Sequence, residues 1–598
     1  WGEDAFYARG QSFNTFDWIA AVLVITLALE LTRRTTGWVI PILAILSMTY
    51  AAWWGTFLPG VLHFPGLTWE TVLYRATYSG DGMFGTIARI SWTYVFMFIL
   101  FGTALLRSGA SDVILSLAQA AAGRFIGGTG LVAVLSSSLM GSVSGSAIGN
   151  TVSTGVVTIP LMKRSGFPAR SAAGIEAAAS TGGQLMPPIM GAGAFLMATY
   201  TGQSYLTIIG VATIPALLYF LSVAFQVRLT ALKHGLSPME VKKSRGNLNR
   251  GWPVLMPITL LVVLLVSGFT PTWAAGAATI ACLICARFGP NPMTPRTVVE
   301  TLAQASITSA SISVLLIAVG LVVMAVTTTG LGPTISQMIV AWSDGNLLLT
   351  LLLVALASLV LGLGLPVTAA YVVLAPLAAP ALSELILDSQ LLAALTTGTL
   401  NEGAKTILTI IMPEQTKGLP SPMTREAATA LITLIPIEVK RTVLDQGLSA
   451  EILTTSLLTA HMIVFWLSQD SNITPPVCLT AFAAAGLAGT RPMETGFTAW
   501  AYAKGLYVIP LVMAVSPLIG GTGLALMQVI LFTIFALYAF AAAIQGFMEG
   551  PLSLEQRFLS GGAAGALIWP HGSWTIGGLS ILIVIGMIWI SKRHRHHG

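Results

Sequence analysis

Ser180-Thr181-Gly182-Gly183-Gln184-Leu185-Met186-Pro187-Pro188 and Ser468-Gln469-Asp470-Ser471-Asn472-Ile473-Thr474-Pro475-Pro476 share one pattern: a polar, small-residue stretch that ends in a proline pair. Each interrupts an apolar run, and each is followed by Ala-Phe, at Ala194-Phe195 and Ala481-Phe482. Upstream, Val156-Val157-Thr158-Ile159-Pro160-Leu161 returns as Val372-Val373-Leu374-Ala375-Pro376-Leu377. The chain is therefore duplicated. The Val-Val-x-x-Pro-Leu copies start at 156 and 372, an offset of 216, and the proline pairs at 187 and 475, an offset of 288. The second half has thus gained about 72 residues (288 − 216), placed within 383–455.

Composition sets the solvent. Of 598 residues, 55% are hydrophobic and 9% charged, against about 25% charged in soluble domains. Apolar stretches near the roughly 20 residues that span a bilayer recur from end to end, and the ten-residue alternation of a membrane β-barrel is absent. The expected fold is an all-α polytopic membrane protein. The net charge of +6 points to no nucleic acid, because the basic residues sit in short loops where they report topology. Residues 228–250 hold Arg228, Lys233, Lys242, Lys243, Arg245 and Arg250 against Glu240 alone, which makes this loop cytoplasmic and the junction between halves. Cys282 and Cys285 lie inside one apolar run and read as packing residues, as does the lone Cys478. The chain begins with Trp1, no signal peptide is read ahead of it, and the basic tail Ser591–Gly598 carries no functional reading.

Spans are expected at 16–32, 37–58, 87–106, 204–227, 253–269, 272–287, 306–328, 500–517, 523–546 and 574–590. Residues 66–79 read as interfacial, and 111–125 and 290–305 as amphipathic. Four segments follow: 1–60, 61–250 with a first hairpin, 251–546 with a second hairpin and the insertion, and 547–598. The insertion holds most of the second half's charges and four prolines, and reads as short amphipathic helices outside the hydrocarbon core.

Chemistry concentrates in four clusters: Gly141–Thr151, Ser180–Pro188, Gly362–Thr368 and Ser468–Pro476. Gly and Pro interrupt the helical hydrogen-bond ladder and free carbonyl oxygens. Those oxygens, with Ser, Thr and Asn side chains, suit a partly dehydrated Na⁺, while amides at a half-helix N-terminus suit a carboxylate. Gly141, Gly145 and Gly149 also have the spacing of a close helix-packing face. Duplicated broken helices in a membrane chain mark a secondary transporter with inverted repeats and its site at their interface. Two acids lie in these blocks. Asp470 is expected to hold a cation or cap a half-helix; Glu176 either serves the site or pairs with Arg170 near an interface. Arg89 and Lys504 are expected to snorkel, and His461, Tyr200 and Tyr371 to pack.

The stretches Gly141–Pro160, Glu176–Pro188, Leu363–Tyr371 and His461–Pro476 resemble the membrane component of tripartite ATP-independent periplasmic (TRAP) transporters, and more narrowly the fused small-plus-large permease that partners TAXI-type solute-binding proteins. The resemblance implies Na⁺-driven import of a small organic acid across the bacterial inner membrane, delivered by a periplasmic solute-binding protein, through an elevator with two re-entrant helical hairpins. These hairpins would end in the breaks before Pro187-Pro188 and Pro475-Pro476. Carried onto this chain, Na⁺ is coordinated among Ser144, Ser146, Gly362, Gly364, Thr368, Asp470 and Thr474, and substrate meets Asn150, Thr181 and Ser471. The chain departs from the family in its short small-subunit part, residues 1–60, where one or more helices are expected to be missing, and in the insertion. A stand-alone divalent-anion or carboxylate symporter is the alternative, and the fused N-terminal helices favour the tripartite reading. An intramembrane enzyme lacks its motifs: Ser142-Val143-Ser144-Gly145 is not Gly-x-Ser-Gly, Gly364 is followed by Leu365 rather than Asp, and neither His-Glu-x-x-His nor a Walker A sequence occurs.

Overall fold

The computed structural model describes residues 9, 12–239, 251–289, 291–416, 422–569 and 574–597. The loop residues 240–250, with Glu240, Lys242, Lys243, Arg245 and Arg250, and the inserted Lys417 and Pro420 lie outside the described residues. Among those described, the chain is helical without strands, and nine helices are long and apolar enough to cross a membrane.

Each half repeats the same path. In the first, Gly128–Ser144 and Ala147–Arg164 pack against each other and form hairpin 1. Gly145 ends the first arm in the left-handed region (φ +60°), where a Cβ would be strained and would meet the Met190 carbonyl at 2.3 Å. Ser146 starts the second arm as its N-cap, accepting from the Gly149 amide at 3.1 Å. Ala169–Gly182 follows, then the first proline pair, then Gly193–Thr201. In the second half, Leu347–Gly362 and Val367–Thr397 form hairpin 2, with Pro366 at the start of the returning arm. Ala450–Ser468 follows, then the second proline pair, then Leu479–Ala488. Both Pro-Pro bonds are cis.

The proline pairs are thus not the hairpin tips. The chain reverses at 144–147 and 362–367, and the proline pairs interrupt the helix that follows each hairpin. The segment beyond each break packs on the opposite half: Gly193–Thr201 on Ala450–Ser468 and Val367–Thr397, and Leu479–Ala488 on Ala169–Gly182 and Ala147–Arg164. A proline pair ends the hydrogen-bond ladder but does not set the direction of the next segment; here cross-repeat packing sets it.

Around this core, Thr15–Thr36 and Val39–Ala52 pack on the long helix Pro295–Thr329. That helix runs unbroken from Pro295 across 305–306, where the end of an amphipathic segment and the start of a separate span are expected. No Gly or Pro follows Pro295 until Gly320, and Thr301, Thr308 and Ser311 satisfy their hydroxyls on the carbonyls one turn back. At the C-terminal end, Leu554–Ile568 and the following helix pack against Gly523–Gln545.

The insertion folds as a small helical unit between Thr397 and Ala450. Glu402–Ile411, Arg425–Leu434 and Ile437–Gly447 close over a core of their own that includes Leu391, Leu400, Leu408, Leu431 and Leu444. The unit stands on the returning arm of hairpin 2, whose 31 residues measure roughly 46 Å at 1.5 Å per residue. From a tip at membrane depth, an arm of that length runs well past the half-thickness of a hydrocarbon core of about 30 Å. Lys440 pins the unit to that arm through Asp388 at 2.7 Å and Glu384 at 3.2 Å. Burial by itself lowers the Lys440 ammonium, but the two carboxylates outweigh it and hold the group above the ordinary lysine range.

Candidate functional site

The two breaks meet. Asn472 donates its side-chain amide to Gln184 Oε1 at 2.9 Å, across 288 residues. That separation equals the offset between the proline pairs, so Gln184 and Asn472 are equivalent positions of the two repeats, and the breaks touch at matching residues. Neither residue has a role legible along its own segment; the shared offset is the available signal.

Each break is seated against its own hairpin through glycine. A Cβ on Gly141 would lie 2.2 Å from Gly183 Cα, so hairpin 1 and the first break approach backbone to backbone. A Cβ on Gly362 would meet Ser471 at 3.3 Å, which places the hairpin 2 tip on the second break. Gly364 faces Val39 of an N-terminal helix instead, so this tip also touches the outer helices.

The residues expected to hold substrate divide between these half-sites. Asn150 is fully buried and donates to the Ser137 carbonyl at 2.7 Å, while its Oδ1 has no partner. Thr181 turns its hydroxyl back to the Ala177 carbonyl at 2.8 Å, and Ser471 to the Ser468 carbonyl at 3.1 Å. Of the residues expected to hold Na⁺, Ser144 and Ser146 sit at the hairpin 1 tip and contact each other, Ser144 Oγ lying 3.4 Å from the Ser146 amide. Gly362, Gly364 and Thr368 bracket the hairpin 2 turn, and Asp470 and Thr474 sit in the second break.

Asp470 is the best-built member. It is buried, and its Oδ1 accepts from the hydroxyls of Thr474 and Tyr507. Tyr507 accepts in turn from the Trp500 indole at 2.6 Å, and the Lys504 ammonium stands 3.0 Å from the centre of the Trp500 ring. Asp470 Oδ2 and the neighbouring Gln469 Oε1 are buried without partners. A buried polar atom without a partner is costly, and carboxylate and amide oxygens are the hard acceptors that suit a cation. Lys504, expected to snorkel, instead lies over this aromatic pair. Trp500 and Tyr507 carried no sequence signal because they lie more than two helical turns beyond the break.

Glu176 does not pair with Arg170. Arg170 lies 3.7 Å from Glu494, and Glu176 is fully buried among hydroxyls of hairpin 1 and its own helix. The helix runs from the hairpin's base toward its tip, which carries Glu176 inward and leaves Arg170 at the end. His461 packs as expected, with Nδ1 3.0 Å from the Tyr371 hydroxyl and its ring stacked on Tyr200. The three cysteines are buried and free.

The model of the tripartite ATP-independent periplasmic transporter, DctM component, matches residues 23–519. The chain is 32% identical to the C4-dicarboxylate TRAP transporter large permease protein DctM of Pseudomonas aeruginosa, over 32% of this chain and 45% of that protein. It is 24% identical to the 2,3-diketo-L-gulonate TRAP transporter large permease protein YiaN of Escherichia coli, over 49% and 69%. It is 23% identical to the sialic acid TRAP transporter permease protein SiaT of Haemophilus influenzae, over 59% and 57%. The matches thus span between about half and two thirds of these relatives, which are transporter permeases rather than enzymes. The family is one of inner-membrane proteins. Its model covers both repeats, both breaks and both hairpins described above, and the chain belongs to the DctM component family of tripartite ATP-independent periplasmic transporters.

Proposed function

We propose that this protein imports a small organic acid by Na⁺ symport, receiving it from a periplasmic TAXI-type solute-binding protein and carrying it across by an elevator movement of the two hairpins and their broken helices. The observation that carries this reading is the pair of buried, partnerless oxygens on Gln469 and Asp470, set in a break that meets its repeat-mate at Gln184–Asn472. Family membership supports solute transport, and the three relatives named above are permeases for organic acids by their names. Interrupted helices offer carbonyl oxygens to a coupling ion and amides to a carboxylate, and here both lie within one contact of a hairpin tip. Asn150, Thr181 and Ser471 would face the acid; Asp470, Thr474, Gly362, Gly364 and Thr368 would hold Na⁺ on the hairpin 2 side, with Ser144 and Ser146 on the other. Ions bound at both tips would favour the seated hairpins, so that unloaded protein moves poorly.

The test is thermal unfolding of the detergent-purified protein titrated with NaCl against KCl and choline chloride at constant ionic strength. A ligand that binds the folded state alone stabilises it by mass action, by about 2.7 kcal/mol at a hundredfold excess over its dissociation constant. A saturable rise specific to Na⁺ is expected, weakened in Asp470→Asn and in Ser144→Ala. Equal curves in the three salts would refute Na⁺ coupling, and an unchanged Na⁺ response in both variants would remove these residues from the site.

A further inference from the structure

We propose that Glu176 is a proton-binding site, at which one proton exchanged on Oε2 switches the hydrogen bonding between hairpin 1 and the broken helix beside it. The carboxyl is enclosed by four hydroxyls. Its Oε1 accepts from Ser137 at 2.8 Å, Thr154 at 2.5 Å and Ser180 at 3.1 Å, whereas Oε2 accepts only from Thr158 at 2.5 Å. Ser137 belongs to one arm of hairpin 1, Thr154 and Thr158 to the other, and Ser180 to the helix of Glu176 itself. Gly155 makes room for the acid: a Cβ there would lie 3.1 Å from Glu176 Cγ.

The shell serves both protonation states. With the acid ionised, four O–H groups point inward and replace the water that a buried carboxylate otherwise lacks. With the acid protonated, the new O–H on Oε2 donates to Thr158 Oγ1, and Thr158 turns its own proton to the Thr154 carbonyl, already 3.0 Å away. Thr154 likewise has a second acceptor in the Asn150 carbonyl at 2.7 Å, and Ser137 in Thr154 Oγ1 at 3.1 Å. Neither state leaves a buried polar group unpaired, which is the condition for a group to titrate inside a packed core. The proton comes from water and returns to it, with no other bond made or broken. Because Glu176 is closed off here, exchange requires hairpin 1 and the helix to part, and Thr154 links the exchange to the backbone of Asn150.

The fold does not demand this cluster. At the repeat offset of 288, Glu176 corresponds to Val464; at the offset of 216, Thr154 and Thr158 correspond to Ala370 and Leu374, all buried. The second half keeps Ser468 in the place of Ser180 but has apolar side chains in place of the acid and of both threonines, so the ionisable version answers another requirement. Among the described residues, no other titratable group bonds Glu176. Of the elements packed on its helix, the hairpin arm Gly128–Ser144 and Leu479–Ala488 carry none. On the arm Ala147–Arg164, Lys163 donates to the Ala488 carbonyl and Arg164 lies at the far end. Glu494 on the next helix pairs with Arg170 and Arg491, and Tyr502 bonds Thr230. On Tyr205–Lys233, Tyr205 bonds the Pro188 and Ile189 carbonyls, Tyr219 the Ala178 carbonyl, Arg228 bonds Glu549, and Lys233 the Gln545 carbonyl. Asp470 is held by Thr474 and Tyr507.

The inference is independent of Na⁺ coupling, and its test reads the carboxyl directly. Infrared spectra of the purified full-length protein, titrated from alkaline to acidic pH, are expected to show a protonated-carboxyl C=O stretch that grows reversibly on acidification. The band should vanish in Glu176→Gln, persist in Asp470→Asn, and move to higher wavenumber in Ser137→Ala, which loses one of three donors to Oε1. A spectrum without a Glu176-dependent band at any pH at which the protein keeps its helical content would overturn the proposal. So would a Glu176-dependent band of constant size, since that acid never exchanges its proton. Should Glu176→Gln fail to fold, Ser137→Ala decides: a titrating band that it leaves in place does not belong to Glu176.

Discussion

Replacing Gly141 by alanine tests the seating of hairpin 1 on the first break. The added Cβ would stand 2.2 Å from Gly183 Cα and 3.0 Å from its carbonyl carbon. Ordinary contact begins near 3.4 Å, so arm and break must part by about 1.2 Å (3.4 − 2.2). The arm cannot simply retreat, because behind it Gly102 already lies so close to the Val143 carbonyl that a Cβ there would meet it at 2.9 Å. Forcing an extra carbon into a packed core costs about 1–3 kcal/mol, and with the arm pinned on both sides the upper end is expected. Asn150 shares the displacement, since its Nδ2 lies 3.2 Å from the same Cβ position. A 1 Å misplacement of a binding group can cost about 10²-fold in function, so Gly141→Ala should both unfold earlier and lose its Na⁺ response. Gly149→Ala is the control: it has the same helix-packing spacing, but its Cβ would meet only the Ser146 side chain, at 3.2 Å. Thermal unfolding with and without NaCl reads both effects. Wild-type behaviour of Gly141→Ala, or equal damage from the two substitutions, would refute the backbone seating and leave a generic small-residue face.

Three further substitutions probe the contact between the breaks and the insertion. Gln184→Ala and Asn472→Ala should each destabilise the protein, and the double variant should lose less than the sum of the two, with a coupling of about 0.5–1.5 kcal/mol for one neutral hydrogen bond; strict additivity in denaturation would show that the breaks do not communicate through this pair. Lys440→Met should release the inserted unit by about 1–3 kcal/mol, the worth of hydrogen bonds to charged groups less the screening of a partly exposed set, and hydrogen exchange should rise in 398–449 while the repeats stay protected. Since Lys440 is held above its unfolded value of about 10.4, its contribution is fully present at neutral pH and fades as the pH climbs through the folded value; uniform exchange across wild type and variant would sink this anchor.

Much of the architecture follows from residue order. Low charge and recurrent apolar runs leave helices as the spanning solution, since lipid satisfies no backbone group. The two proline pairs and the Val-Val-x-x-Pro-Leu copies expose the duplication, and their unequal offsets locate the extra residues within 383–455. Asp470 could be singled out because an acid in an apolar break is expensive. These are local signals: periodicity, breakers, and a charge out of place.

Other features needed the packed chain. Proline fixes where the hydrogen-bond ladder stops, but the direction taken afterward depends on which surface the next segment buries, and here each crosses to the opposite repeat. That choice moved the hairpin tips from the proline pairs to Gly145 and to 363–366. The pairing of Gln184 with Asn472, the aromatic support of Asp470 by Tyr507 and Trp500, and the hydroxyl shell of Glu176 all join residues from separate helices. A sequence read along one helix places Glu176 within reach of Arg170; only the hairpin packed against that helix supplies Ser137, Thr154 and Thr158. The sequence by itself determined a duplicated, broken-helix membrane fold, because breakers and hydropathy act on neighbours along the chain. Tertiary structure decided which oxygens face one another, because a buried charge or dipole is satisfied by whatever the fold brings within 3 Å, from any distance in sequence.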